Sequence, residues 1–330
     1  IARDREEQWD DQFAAVAASS PSTKALSDYL SSAPGGAPLE KLMDENKPIS
    51  TIIIYGGDTD LLVETNLFAL KSQTSLVNQG IKTLKASAGI EKVILAVPAE
   101  SFQNVDGHFE AEVKAVPAAY PGAQLLMIHY QVTGQMLGQG QAPEDAGVLF
   151  IRAEAVAAIG SAVASGRIPV DKVLTVVDKQ GNRRLASARI GTPVGAVLKR
   201  LNITTADGDR IIYGGPMTGS AIYSEDQPVT ATTDAVMVQD ASDIIPSGDD
   251  PCINCGECIR ICPTNIPVNL LIRFLEAGQY QDGADLYDLY SCVECGLCSF
   301  VCVSRIPILQ YIKLAKFELA RAIPAEEENE

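Results

Sequence analysis

Cysteine is absent from the first 251 of the chain's 330 residues, and all eight cysteines fall between Cys252 and Cys302. A disulfide framework would staple the whole chain, so crowding into one short stretch excludes that role. Histidine is scarcer still. His108 and His129 are the only two, both far in sequence from the cysteines, and a nucleophilic triad or a second metal site would need more partners than they offer. Both are read as structural or surface residues. Long apolar runs are missing as well: those around Ile52–Tyr55 and Val93–Val97 are strand-sized, well short of the roughly 20 residues of a membrane helix. Positive charge is in the minority, with 26 Lys and Arg against 42 Asp and Glu and a net charge of -16. No basic run appears, which argues against nucleic acid and favours basic or neutral partners. The chain opens on Ile1, and Ile1–Gln12 is too charged for a signal peptide, so a trimmed or mature fragment is expected.

What is there sits in the cysteines. They form two runs, Cys252-x2-Cys255-x2-Cys258-x3-Cys262-Pro263 and Cys292-x2-Cys295-x2-Cys298-x3-Cys302. A 4Fe-4S cubane takes three thiolates from one tight loop, and two residues between cysteines let the backbone wrap one face. In two-cluster ferredoxins the fourth Cys of each run ligates the other cluster. On that pattern one cluster takes Cys252, Cys255, Cys258 and Cys302, and the other takes Cys292, Cys295, Cys298 and Cys262. Gly256 and Gly296 occupy the same offset in both loops, where a side chain would crowd a cluster. Val303 stands where the first run has Pro263, and the cluster is expected to survive that departure. Structural zinc sites use two separated Cys pairs, so a third and fourth Cys at these spacings suit zinc poorly.

Apolar periodicity predicts helices over 266–278, about 280–290 and 308–321, giving an α-helical ferredoxin module with Tyr287 and Tyr290 as core residues. The tail Glu326–Glu330 reads as solvated. Upstream, strand Thr51–Tyr55, loop Gly56–Asp60, helix Leu67–Ala88, strand Lys92–Val97 and a strand at Gln124–Tyr130 predict an α/β domain with a mainly parallel sheet. From Val173 the runs become short and β-rich, with a helix over 193–201, which fits a small β-grasp-like domain. Expected boundaries are a helical or linker segment over 1–48, the α/β domain over 49–168, the β-grasp-like domain over 169–240, the cluster domain over 241–322 and the acidic tail over 323–330. Nucleotides bind at strand-end loops, which makes Gly56, Gly57, Asp58 and Asp60 a candidate site, with Gly35 and Gly36 a second glycine loop. An ordinary turn explains either loop equally well, and no G-x-G-x-x-G fingerprint is present. Asp58, Asp60 and Glu64 could also hold a ribose or a cation, or simply be solvated.

The order of α/β domain, Ile190-Gly191-Thr192-Pro193-Val194, Tyr213-Gly214-Gly215-Pro216-Met217-Thr218-Gly219, two cysteine runs and the closing helix from Ile306-Pro307 through Lys316 resembles the C subunit of the Rnf electron-transport complex. It resembles more distantly the NADH-oxidising flavoprotein subunit of respiratory complex I and a cobalamin reductase with the same module order. The resemblance implies a peripheral subunit of an ion-translocating oxidoreductase, on the cytoplasmic face of the bacterial inner membrane. It would exchange electrons between NAD(H), through bound FMN, and the membrane subunits by way of two [4Fe-4S] clusters. The family's amino-terminal lipoyl-like domain is absent from this chain, and Ile1–Asp11 resembles its exit segment.

The flavin and nucleotide loops of the family have the forms G-x-G-G-A-x-F-P, N-G-A-E-x-E-P and Y-P-x-G-x-E-K, and this chain departs from all three. Gly35-Gly36-Ala37-Pro38 is shortened and lacks the Phe. Tyr55-Gly56-Gly57-Asp58-Thr59-Asp60 replaces both Glu by Asp and lacks the Pro, and Tyr120-Pro121-Gly122-Ala123-Gln124-Leu125 lacks the Glu and Lys. Such losses weaken flavin and nucleotide binding. Two readings stay open: an NAD(H)- and FMN-using oxidoreductase subunit, or a flavin-free relay and docking subunit serving another redox protein such as a cytochrome or ferredoxin. A free ferredoxin would leave the β-rich stretch unexplained.

Overall fold

A computed structural model describes residues 11–105, 108–138, 140–248 and 250–327. The chain divides into two compact units, one of Ile1–Met136 with Gln141–Asp243 and one of Leu137–Gly140 with Ile244–Glu330. The expected exit segment Ile1–Asp11 lies almost wholly outside the described residues.

The first unit starts with α1 (Asp11–Ala18) and α2 (Thr23–Leu30), then alternates β1 (Thr51–Tyr55), α3 (Thr65–Ser72), α4 (Thr74–Ala88), β2 (Val93–Pro98), α5 (Ala99–Val105), β3 (Glu112–Val116), α6 (Leu125–Thr133), β4 (Val148–Arg152) and α7 (Ala153–Ser165). The four strands are parallel in the order β3-β2-β1-β4. Both faces are covered, so β1 reads as an unbroken apolar run instead of an alternating one. Ile52 and Ile54 face a core built with α1, α2, α3, α4 and α7, while Ile53 and Tyr55 face Ile128 and Val132 of α6.

Two expectations are corrected here. The strand expected at Gln124–Tyr130 is the helix α6, closed by Gly134 in the left-handed region at φ 72; Ile128 and Val132, four apart, bury one face, and the short apolar run mimicked a strand. The third strand is β3, which is only partly buried, with Val116 alone in the core, and gave no apolar run. The single helix expected over 67–88 is two, α3 and α4, broken at Gln73 (φ -122).

The rest of this unit is a mixed sheet of β5 (Asp171–Val177), β6 (Arg183–Arg189), β7 (Arg210–Tyr213), β8 (Ser220–Ile222) and β9 (Ala235–Gln239), with α8 (Val194–Arg200) between β6 and β7. Its order is β6-β5-β9-β7-β8, with the last strand inserted parallel to β5 and antiparallel to β7. That is the strand order of a β-grasp. The α/β layer with a parallel sheet and the β-grasp-like sheet expected from the sequence are therefore both present.

The second unit is helical: α9 (Glu257–Arg260), α10 (Val268–Glu276), α11 (Tyr280–Tyr287), α12 (Leu297–Phe300) and α13 (Ile308–Glu327). It is an internal repeat forty residues apart. Asn254 and Glu294 both have positive φ (59 and 56), as do Gly256 and Gly296 (79 and 76) and Asn265 and Arg305 (57 and 55). In each half the Ile-Pro pair at 266–267 or 306–307 starts the long helix. Its apolar core comes from Ile266, Leu271, Ile272, Leu275, Ile306, Ile308, Ile312 and Ala315, with Tyr287 and Tyr290 half-buried against it. Helix α13 runs past the expected end into the tail, whose last three residues lie outside the described ones.

Helices α4 and α7 pack backbone to backbone. A Cβ on Gly160 would stand 1.9 Å from the Leu76 carbonyl oxygen, and one on Gly80 would stand 2.0 Å from that of Val156. Alanine gains about 1 kcal/mol of helix propensity over glycine, yet backbone cannot yield as a side chain end does, and overpacking costs roughly 1–3 kcal/mol or more. Gly160→Ala is therefore expected to lower the midpoint of urea unfolding, whereas a rise would show that the two helices are free to part.

Candidate functional site

The cysteine loops are set by backbone the sequence made cheap. Gly256 and Gly296 adopt left-handed φ and their carbonyls start α9 and α12, accepting from the amides of Ile259 and Ser299 at 3.1 Å in both halves. The turns carrying Cys262 and Cys302 also match, with Asn265 N–H donating to the Cys262 carbonyl and Arg305 N–H to the Cys302 carbonyl, so Val303 in place of a proline leaves the loop intact. Cys252, Cys255, Cys258 and Cys302 line one small cavity, and Cys262, Cys292, Cys295 and Cys298 line another. All eight are free thiols.

Each tetrad lines the wall of its own small cavity. Tetrahedral zinc with bonds of about 2.3 Å would draw four sulfurs to within about 4 Å of one another. A cubane holds its thiolates further apart, and these residues fit one. Burial raises the Cys258 and Cys295 thiols and pushes Cys292 up to about 11 and Cys298 up to about 12. A metal guest would favour their thiolate forms.

The strand-end loop is a different case. In the order β3-β2-β1-β4 the chain leaves β1 to one side and returns to the other, so the crevice lies between the carboxyl ends of β1 and β4. Arg152 and Asp234 form an ion pair there, and the Arg152 guanidinium shares a hydrogen bond with the Tyr55 hydroxyl. Lys172, fully buried, donates to Glu154 Oε2 at 2.6 Å and to the Val173 carbonyl at 2.7 Å, with Asp234 Oδ1 at 3.5 Å. Thr65 Oγ1 donates to the Asp234 carbonyl at 2.7 Å. The charges that fill the crevice thus come half from β4 and α7 (Arg152, Glu154) and half from the β-grasp-like part (Lys172, Asp234), and nothing in the linear pattern pointed to them beyond a Lys and an Arg beside apolar strand residues.

The candidate residues of the loops are themselves engaged. Asp58 accepts from the amides of Asn66 (2.8 Å) and Leu67 (3.2 Å), capping α3. Asp60 accepts from the amides of Leu61, Met217 and Thr218 and from the Thr218 hydroxyl, the last at 2.6 Å. It binds the Tyr213–Gly219 turn, where a Cβ on Gly215 would stand 2.5 Å from the Asp60 carboxyl carbon. The amides of Gly35, Gly36 and Gly56 donate to the carbonyls of Ala231, Ala33 and Ala96. A Cβ on Gly35 would meet the Ala155 backbone nitrogen at 2.5 Å, and one on Gly57 would meet Pro98 at 3.1 Å. The Glu64 side chain pairs with Arg183. A flavin phosphate needs free backbone N–H groups and a cradle open to it; as folded, these residues do not fit FMN. A cleft of about 330 Å³ runs along α7 past Gln73, Leu76 and Val173, and none of the candidate glycines or aspartates lines it. His129 is buried with Nδ1 3.1 Å from the Gln135 carbonyl, and His108 is exposed.

Residues 244–303 match the 4Fe-4S dicluster domain family. The chain is 25% identical over 246 residues to the C subunit of the ion-translocating oxidoreductase complex of Rhodobacter capsulatus, covering 72% of this chain and 47% of that protein. It is 28% identical over 301 residues to the protein of the same name from Cronobacter sakazakii (88% and 38%). The C subunit of the Na(+)-translocating ferredoxin:NAD(+) oxidoreductase complex of Acetobacterium woodii is 24% identical over 234 residues (68% and 53%). The resemblance to the Rnf C subunit holds. The chain spans about half, or less, of the length of these relatives. In fold it is similar to a chain of an NAD+-reducing [NiFe]-hydrogenase, with a TM-score of 0.53 at 14% identity over 93% of this chain and 62% of that one.

Burial pushes Glu154 up to about 7 against the pull of Lys172, and Asp58 up to about 6 against its amide donors. A carboxyl with a raised folded pKa holds its proton longer in the folded state, so its contribution to stability falls as pH rises from about 4.5 to about 7. Glu154→Gln is expected to remove one such decline. The difference in unfolding free energy between wild type and variant, measured by urea titration at several pH values, should change by on the order of 3 kcal/mol across that window; a constant difference would show that Glu154 is ionised throughout.

Proposed function

We propose that this chain is a peripheral electron-transfer subunit of an Rnf-type, ion-translocating oxidoreductase complex, carrying two [4Fe-4S] clusters. The observation that carries the reading is the sorting of eight free thiols into two tetrads, each with three cysteines of one run and the fourth of the other. Cys252, Cys255, Cys258 and Cys302 would hold one cluster, and Cys292, Cys295, Cys298 and Cys262 the other. When bound, each supplies one-electron chemistry without a proton. The protein's part is to keep the thiols apart from bulk water, and Cys258, Cys295 and Cys298 are buried.

Of the two readings of the upstream half, the flavin-free relay is favoured by the Arg152–Asp234 and Lys172–Glu154 pairs that fill the strand-end crevice. NAD(H) and FMN, which the family and the hydrogenase fold suggest, would then act on other subunits. The α/β and β-grasp-like layers serve docking instead, to the membrane subunits and to a soluble redox protein such as a ferredoxin or cytochrome. No helix among the described residues is long and apolar enough to cross a membrane; the peripheral place on the cytoplasmic face follows from the resemblance to the Rnf C subunit.

Anaerobic reconstitution should give about eight irons per chain, with no FMN retained from added FMN and no bleaching of the cluster absorbance by NADH. Stoichiometric FMN or NADH bleaching would overturn the relay reading, and four irons that persist after repeated reconstitution would overturn the two-cluster one. Cys302→Ser is expected to abolish one cluster signal in electron paramagnetic resonance and leave the other.

A further inference from the structure

The two halves of the cluster unit repeat in backbone and differ in charge. Between the first and second cysteines of each run stands a residue with left-handed φ, Asn254 in one half and Glu294 in the other. Asn254 Oδ1 accepts from Asn269 Nδ2 at 2.6 Å, a neutral staple. Glu294 Oε1 instead accepts from Lys316 Nζ at 2.8 Å, and the same ammonium donates to the Cys292 carbonyl at 2.8 Å. The position forty residues before Lys316 is Glu276, so the first half lacks this cation.

The first half does have a cation on a cysteine carbonyl. Arg260 Nη2 lies 3.4 Å from the Cys255 carbonyl oxygen and pairs with Glu257. Its side chain is 63% exposed, against 20% for Lys316. Water and salt screen the exposed charge, while a largely buried charge acts at lower effective dielectric. Within the second half, Lys316 is also less exposed than its partner Glu294 (39%). The positive end of the pair therefore lies nearer the protein interior and the negative end nearer solvent.

Resting on the two-cluster reading, we propose that Lys316 is a positioning residue that raises the reduction potential at the Cys262, Cys292, Cys295 and Cys298 site and not at its repeat-related counterpart. One electron adds to a site already negative from its four thiolates, so a fixed positive charge beside one ligand stabilises the reduced form more than the oxidised one. The same contact holds Glu294 in the left-handed region, which a residue with a side chain seldom adopts, so the charge and the loop geometry are set by one ion pair.

The test uses the reconstituted chain, titrated with dithionite and followed by electron paramagnetic resonance, which resolves the two sites. Lys316→Met is expected to shift one of two midpoint potentials negative and leave the other in place, Lys316→Arg to keep wild-type values, and Glu294→Gln to shift the same midpoint positive. Arg260→Gln should move the other midpoint by less than Lys316→Met moves its own. Unchanged midpoints in both Lys316→Met and Glu294→Gln, or equal movement of both waves, would overturn the assignment. If Lys316→Met fails to hold iron, the sign of the Glu294→Gln shift decides. Iron content near four per chain in wild type would instead overturn the two-cluster reading beneath it.

Discussion

The crossing of the fourth thiol is the constraint on which the cluster unit depends. Cys302 must reach the cavity of the first run and Cys262 that of the second, so neither loop is complete without the other half. The long helices α10 and α13, each launched by an Ile-Pro pair a few residues after the crossing cysteine, supply the apolar contacts that keep the halves face to face. This is a small core, and a small unit usually needs a further tie. Under the proposed two-cluster reading, iron-sulfur ligation would be that tie.

In the first unit the same logic runs in reverse. A parallel sheet with a change of direction between β1 and β4 creates a crevice at the carboxyl ends, and polar groups there must find partners, from a ligand or from the chain. Here the chain supplies them. Arg152 and Glu154 follow directly from β4, Lys172 and Asp234 arrive from the neighbouring sheet, and Asp60 is consumed by the Tyr213–Gly219 turn. A buried ion pair contributes little net stability against apolar packing, but loss of one member strands the other at a cost of roughly 3–5 kcal/mol. The network is therefore better understood as fixing how two sheets meet.

Much of this was legible from local pattern. The Cys-x2-Cys-x2-Cys spacing carried three members of each tetrad because adjacent residues set them, and the pairing of two like runs carried the fourth. The apolar runs of β1 and β2 carried the parallel sheet, since strands buried on both faces announce themselves. What was illegible was set by distant partners or by short signals. β3 is only partly buried and has no apolar run, the apolar start of α6 looked like a strand, and the break at Gln73 has no glycine or proline to mark it. The glycines and aspartates of the strand-end loop had the right types for a ligand site. Only the fold reveals that Ala231, Met217, Thr218 and Asn66 already occupy their hydrogen-bonding groups.

The burial of Lys172 has a consequence for how this molecule can be taken apart. Its ammonium is wholly enclosed, and its partner Glu154 precedes it across the α7-to-β5 connection. A cut in that connection would leave Arg152 and Glu154 on one fragment and Lys172 and Asp234 on the other, splitting both close ion pairs at once. Neither sheet is then a separable module in the engineering sense. Gene fusions, truncations and domain swaps that respect the α/β or β-grasp boundary will break the molecule at its most heavily charged internal seam, and the useful breakpoint is the one near Asp243, where the two compact units divide.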